Sequence, residues 1–314
     1  MLGGRGVIIF FFMLSLFTNN YAQDIPRDTS YTIHSAYEKY VKSHPYISPV
    51  IPDTSELHAV HRDVTYRKIA SRKLMADIFI PNRARKSGYA VLLIHGGGWV
   101  SGNKSLLHHV AAALARNGYT SMAIEYRLSL EAPYPAALQD VRAAVAWLRN
   151  QADELQIDPD NIIIVGSSAG GQLAALAGAT IPLQFGEEAD LEIGRDYAGI
   201  RAVVNIDGVL AFIHPESEES RVAGKWLGDD RETWIEASAL SHIGERTPPM
   251  LFIGSSNPRF LAGRADVINI LERYVIHHDT KIFHDAPHSF WLFDPWFDPM
   301  MEVILGFLNS LSES

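Results

Sequence analysis

Apolar positions recur along this chain in two rhythms, and the change from one to the other marks out its elements. Residues 24–60 are polar and punctuated by Pro26, Pro45, Pro49 and Pro52, with one short helix expected at Ser35–Lys42. Val64–Ile69 and Lys73–Ile80 alternate with period two, which predicts an antiparallel hairpin at the edge of a sheet. Further on the apolar runs become continuous: Tyr89–His95, Thr120–Tyr126 and Asn161–Gly166 have the length and composition of strands covered on both faces. Leu106–Asn117, Ala137–Leu155 and Gly170–Ala179 lie between and after them as predicted helices. Ala202–Asp207, Pro249–Gly254 and Lys281–His284 continue the series as strands, with a helix at Val267–Ile276. Strand and helix in alternation predict an α/β protein whose mostly parallel sheet carries helices on both sides. The more polar stretches 181–200 and 211–248 read as a lid or cap.

The N-terminus follows neither rhythm. Arg5, the apolar stretch Val7–Phe17 and a small residue at Ala22 have the order of a cleavable secretory signal, with cleavage near Ala22 or Gln23. The stretch is short for a bilayer span, and an uncleaved anchor is the alternative. The expected organisation is a signal at 1–22, an N-terminal extension at 23–61 and an α/β domain at 62–314, exported to the periplasm or beyond with no stable membrane span after cleavage. A chain of 314 residues that is 47% hydrophobic can bury one large core as a single domain. Its net charge of −9 argues against nucleic acid as a partner, because phosphate binding needs a basic face. With no cysteine, neither disulfides nor a lipid at the cleavage site are expected.

Chemistry enters where Ile162–Val165 runs into Gly166-Ser167-Ser168-Ala169-Gly170. An apolar strand that breaks into a glycine-flanked serine and then a small-residue helix reads as a nucleophile elbow, which projects the Ser168 hydroxyl above the sheet. The helix that follows aims its amide dipoles back at the serine. A second apolar strand ends in His95-Gly96-Gly97-Gly98-Trp99, a turn whose bare backbone amides can approach a substrate oxygen.

Together these segments, with Glu125-Tyr126-Arg127-Leu128 and Tyr134-Pro135-Ala136-Ala137-Leu138-Gln139-Asp140-Val141, make residues 62–312 resemble an α/β-hydrolase of the esterase/lipase family, close to hormone-sensitive-lipase-like and to feruloyl- or acetyl-esterase-like carbohydrate esterases. The resemblance implies Ser168 as nucleophile, oxyanion-hole amides from Gly97, Gly98 and Ala169, and His288, in the loop after the last strand, as general base. The acid is open. Its usual place in this family, three residues after Gly254, holds Asn257. An amide can orient an imidazole but cannot offset the charge of an imidazolium. Asp266 lies later in the same loop, where it also suits a helix cap, and Asp207 ends the strand from which some lipases draw their acid, where it also suits a turn.

Pro258–Arg264 and Pro287–Phe293 further resemble a subgroup of secreted bacterial esterases associated with pectin and xylan breakdown. The resemblance implies an acylated polysaccharide or oligosaccharide as substrate. Trp99 and Trp291 are candidates to meet a sugar, the latter within the aromatic cluster Phe290, Trp291, Phe293, Trp296 and Phe297, which reads equally as core. Arg259 and Arg264 suit a uronate carboxylate or, equally, the surface. No cofactor or metal is expected: His108-His109 and His277-His278 are adjacent pairs, and the former sits in a predicted helix where neighbours diverge. The implied activity is a serine carboxylesterase removing acetyl, or alternatively feruloyl, groups. A serine exopeptidase shares the chemistry, and Asn257 alone suggests a catalytically inactive carbohydrate-binding relative.

Overall fold

A computed structural model of the protein describes residues 27–181, 200–218 and 220–311. The expected signal at 1–22 and nearly all of the stretch 181–200 lie outside them. The extension contributes α1 (Ile33–Tyr40), opened by a capping box in which Thr32 and Ser35 each bond the other's backbone amide. It also supplies β1 (Ser48–Pro49), which pairs antiparallel with β10 (Phe293–Asp294) as a small separate ribbon.

The main sheet consists of β2 (Ala59–Ile69), β3 (Arg72–Ile80), β4 (Ala90–Ile94), β5 (Thr120–Ile124), β6 (Ile162–Ser167), β7 (Ala202–Ile206), β8 (Met250–Ser255) and β9 (His278–Phe283). Their spatial order is β2-β3-β5-β4-β6-β7-β8-β9. The β2–β3 hairpin is antiparallel and joins β5 antiparallel, while every pairing from β5 to β9 is parallel. Side chains alternate between two cores. In β4, Ala90, Leu92 and Ile94 enter one, Val91 and Leu93 the other; in β8, Met250 and Phe252 oppose Leu251 and Ile253. Two buried faces explain why these strands read as unbroken apolar runs.

The first core is covered by α3 (Ala136–Asn150), the short α4 (Ala152–Leu155), α5 (Ala169–Thr180) and the inner face of α8 (Arg264–Arg273), and the second by α2 (His108–Arg116) and α9 (Phe297–Ser310). In α9, Phe297, Met300, Met301, Ile304, Phe307 and Leu308 are all buried. At about 1.5–3 kcal/mol gross for each fully buried large side chain, that stripe alone is enough to hold the helix on the sheet. The region 211–248 folds into α6 (Ser220–Leu227), α7 (Arg231–Glu236) and a turn of 3-10 helix at Ala239–His242. Among the described residues no helix is long and apolar enough to cross a membrane.

Several element boundaries differ from the sequence reading: α1 lies two residues earlier than Ser35–Lys42, and β2 begins at Ala59, five residues before Val64 and within the stretch expected as the extension. The helix expected over Ala137–Leu155 is broken at Gln151, which caps α3 and precedes α4. Strand β9 begins three residues early because, as an edge strand, its half HDT is held by ladder bonds rather than by apolar burial. Helix α8 starts at Arg264, after the left-handed Gly263, not at Val267. What matters for the site is direction: the parallel strands β4, β6, β7 and β8 all end at one edge, where the loops carrying reactive side chains gather.

Candidate active site

Ser168 stands between the end of β6 and the start of α5 with φ 53° and ψ −121°, a conformation that side-chain-bearing residues avoid. Close packing fixes it there. A Cβ on Gly166 would meet the Gly170 carbonyl oxygen at 2.0 Å, and one on Gly170 would meet that of Ile94 at the same distance. The Ser168 amide donates to Ile206 O at 2.8 Å, tying the elbow to the end of β7.

Two further residues converge on it. His288 Nε2 accepts from Ser168 Oγ at 2.9 Å, and His288 Nδ1 donates to Asp207 Oδ2 at 2.9 Å. Asp207, wholly buried at the end of β7, also accepts from the Ser255 amide at 2.9 Å and from Ser255 Oγ at 2.6 Å. Its carboxylate is thereby held by three donors, which keeps both oxygens occupied and the imidazole in one tautomer. The ring of Phe260 lies flat on His288, centroids 3.6 Å apart and 11° from parallel.

The structure separates the two candidate acids. Asp266 lies in the first turn of α8, half exposed, and bonds His214 Nε2 at 2.9 Å, away from His288. Facing outward from a helix, it has no route to the imidazole. Asn257 opens the 3-10 turn Pro258–Phe260, its side chain accepting from the Arg259 amide at 3.2 Å. The carboxylate that meets His288 stands at the end of β7, one strand over from the position the resemblance implied, and the end of β8 supplies Ser255 as donor. The inactive-relative reading rested on Asn257 and loses its ground.

Beside the serine runs the glycine turn. Gly97 has φ 128° and Gly98 φ 62°, both outside the range of ordinary residues. A Cβ at Gly97 would sit 2.0 Å from Ser101 O. Among the described residues the amides of Gly97, Gly98 and Ala169 donate to no backbone acceptor, so all three remain available to an incoming oxygen. His95, just before the turn, is completely buried against Tyr126 and donates from Nδ1 to Gly96 O at 2.7 Å. Burial pushes its pKa down to about 4, and does the same for His109, which donates from Nε2 to Trp291 O. Unfolded histidines titrate near 6.5. Between those values the unfolded chain binds protons that the folded one refuses, so stability falls as pH drops from 6.5 to 4, by on the order of 2–3 kcal/mol for each histidine. Tm measured across that window is expected to decline steeply; a flat profile would contradict the buried neutral imidazoles.

These groups open on a cavity of about 360 Å³. Trp99 lines it, fixed by a stack on Trp226 (5.1 Å, 5°) and by a bond from Nε1 to Gln172 Oε1 at 3.0 Å. Arg259 also lines it. Arg264 does not. Its guanidinium is buried behind the acid, where a Cβ on Gly254 would touch both Arg264 Nη1 (2.8 Å) and Asp207 Oδ1 (3.1 Å). Trp291 is likewise withdrawn: it is 1% exposed and meets His288 edge-on from the core, and Phe290 and Phe293 are as deeply buried. The aromatic run is therefore core, because its helical turn faces α2 and α9. Four lining or supporting residues carried no signal in the sequence: Ser255, and Tyr31, Lys39 and Tyr40 from the N-terminal extension.

A parallel sheet whose carboxyl edge presents serine, histidine and aspartate in one hydrogen-bonded line defines an α/β-hydrolase. The branch is given by sequence: the BD-FAE family matches residues 76–261, more than half of the chain, and the chain belongs to that family. Esterase LipC of Mycobacterium tuberculosis is 30% identical over 182 residues, covering 54% of this chain and 44% of its own. Esterase LipQ of the same organism is 28% identical over 221 residues, 67% of this chain and 52% of its own. The chain thus spans about half the length of the curated relatives it matches. Among solved structures, the native esterase Est2 of Thermogutta terrifontis aligns with TM-score 0.66 at 22% identity, over 83% of this chain and 94% of that one. A truncated carbohydrate esterase from gut microbiota aligns with TM-score 0.63 at 23% identity, over 84% and 99%. At these identities the structures show the shared fold.

Proposed function

We propose that the protein is a serine carboxylesterase that removes small acyl groups, acetyl above all, from a plant-type polysaccharide or its fragments, and that it acts outside the cytoplasm after loss of residues 1–22. The observation that carries the chemistry is the unbroken Asp207–His288–Ser168 line beside the amides of Gly97, Gly98 and Ala169, which among the described residues meet no backbone acceptor. Ser168 Oγ attacks the ester carbonyl while its proton passes to His288 Nε2; the oxyanion lies among the amides of Gly97, Gly98 and Ala169. The imidazolium then protonates the leaving alcohol, and Asp207 offsets its charge. Water, deprotonated by the same nitrogen, cleaves the acyl-enzyme and frees the serine.

Support for the family of substrates is of two kinds. LipC and LipQ are named esterases, and one structural neighbour is a carbohydrate esterase. For a small acyl group the support is the Trp99 wall, immobilised by Trp226 and Phe212. Lys39 and Arg259 line the mouth, while Asp207 is occupied by its own partners, an arrangement that suits a uronate-bearing chain such as pectin over neutral xylan. The test is acetate release from acetylated pectin and acetylated xylan, with a small activated ester alongside. Release from pectin exceeding release from xylan is expected. Cleavage of the activated ester alone would overturn the substrate, and cleavage of none would overturn the esterase reading.

A further inference from the structure

Tyr31, in the N-terminal extension, holds two catalytic loops at once. Its amide donates to Ser101 Oγ at 3.0 Å, and its hydroxyl shares a 2.7 Å hydrogen bond with Ser289 Oγ. Ser101 belongs to the glycine turn: its own amide donates to Gly97 O at 3.1 Å, and its hydroxyl donates to Asp28 Oδ1 at 3.0 Å. The Gly102 amide adds a bond to Asp28 O at 3.1 Å, so this side of the extension is anchored by backbone as well as side chain. Ser289, at the other end, directly follows His288.

Ser289 is unusual in two respects. With φ 78° it occupies the left-handed region, where glycine would sit without strain. It also stands at the N-cap of the turn Phe290–Leu292, yet its hydroxyl caps nothing. A serine at such a position ordinarily turns its oxygen to the free amides of the helix; here the oxygen is turned to Tyr31. The phenol is poised to keep this bond at any working pH, since burial pushes its pKa up to about 12. The geometry points to Tyr31 as a positioning residue: through Ser289 it fixes the backbone from which His288 reaches Ser168, and through Ser101 it sets the glycine turn at the matching distance. The extension is on this view part of the catalytic apparatus, not an appendage to the domain.

The inference rests on the esterase reading, and its test separates the two. Steady-state kinetics on a small activated ester are compared for wild type, Tyr31→Phe, Ser289→Ala, Ser289→Gly and the Tyr31→Phe/Ser289→Ala double variant, with Tm measured on each. Tyr31→Phe keeps the ring and loses the hydroxyl; kcat is expected to fall about tenfold, the effect of one hydrogen bond's worth of misplacement, with KM within about twofold. Ser289→Ala should match it, and the double variant should be no slower than either single one, since both remove the same bond. Ser289→Gly relieves the left-handed backbone and so should melt no lower than wild type while turning over as slowly as Ser289→Ala, a divergence that a purely structural role cannot produce. Undiminished kcat in Tyr31→Phe, or losses that multiply in the double variant, would overturn the clamp. Wild type with no turnover of any ester overturns instead the esterase reading beneath it.

Discussion

Asp207→Asn is expected to lower kcat for ester hydrolysis by about 10⁴-fold, the scale set by replacing a triad aspartate with its amide, while Asp266→Asn leaves it within about twofold. The difference follows from what each carboxylate touches. Asp207 Oδ2 accepts the hydrogen bond of His288 Nδ1–H, and Ser255 pins both its oxygens. An asparagine that keeps the bond from the Ser255 amide puts its NH₂ in the place of Oδ2, facing both Ser255 Oγ and the imidazole. His288 Nδ1 then has to accept, the ring proton moves to Nε2, and Nε2 can no longer take the proton of Ser168. Among the described residues Asp266 bonds only His214, and its side chain is half exposed. Initial rates on an activated ester, with circular dichroism to show that both variants fold, decide the matter; comparable losses in the two would remove Asp207 from the line.

Ser168→Ala should abolish turnover, by on the order of 10⁶-fold where the nucleophile of a triad is removed. Ser168→Gly should be equally inactive but more stable. At φ 53° and ψ −121° any residue with a Cβ stores roughly 1–3 kcal/mol, and glycine releases part of it. For a domain of this size about 1 kcal/mol moves Tm by roughly 2–4 °C. Calorimetry of the two variants side by side reads the stored strain directly. Residual ester cleavage by Ser168→Ala above the buffer rate would point to a different nucleophile, and equal melting of alanine and glycine variants would mean the elbow is unstrained.

The fold was legible because its strands are buried on both faces: a run such as Ala90–Ile94 has no polar register to disguise it, and glycine-rich turns end β4 and β6. Ser168 was marked by the glycine-flanked turn around it, and His288 by the resemblance that places the base in the loop after the last strand; the structure brings the two within a hydrogen bond. The acid was not. Asp207 and Asp266 both precede or enter an element and both suit a cap or a turn, and only the convergence of β7 and β8 decides between them. Ser255 left no trace, as a serine ending a strand is ordinary until a carboxylate is found beside it. Tyr31 is still further from legibility, 258 residues from its partner Ser289. The cluster around Trp291 shows the opposite failure, a conspicuous pattern whose core and surface versions are spelled alike. Arg264 misled in the same way: in sequence it suits a substrate carboxylate or the surface, and its burial behind Asp207 depends on Gly254 leaving room.

The seating of the acid at the end of β7, with Asn257 after β8, has a consequence for variation. In a site whose carboxylate hangs from the loop after β8, any change in that loop endangers the proton relay. Here Asn257 and Arg259 line the cavity from a loop that does not carry the acid. A substitution at either position reshapes the cavity wall while the carboxylate stays anchored on a different strand, so this loop is the part of the site with most latitude to vary.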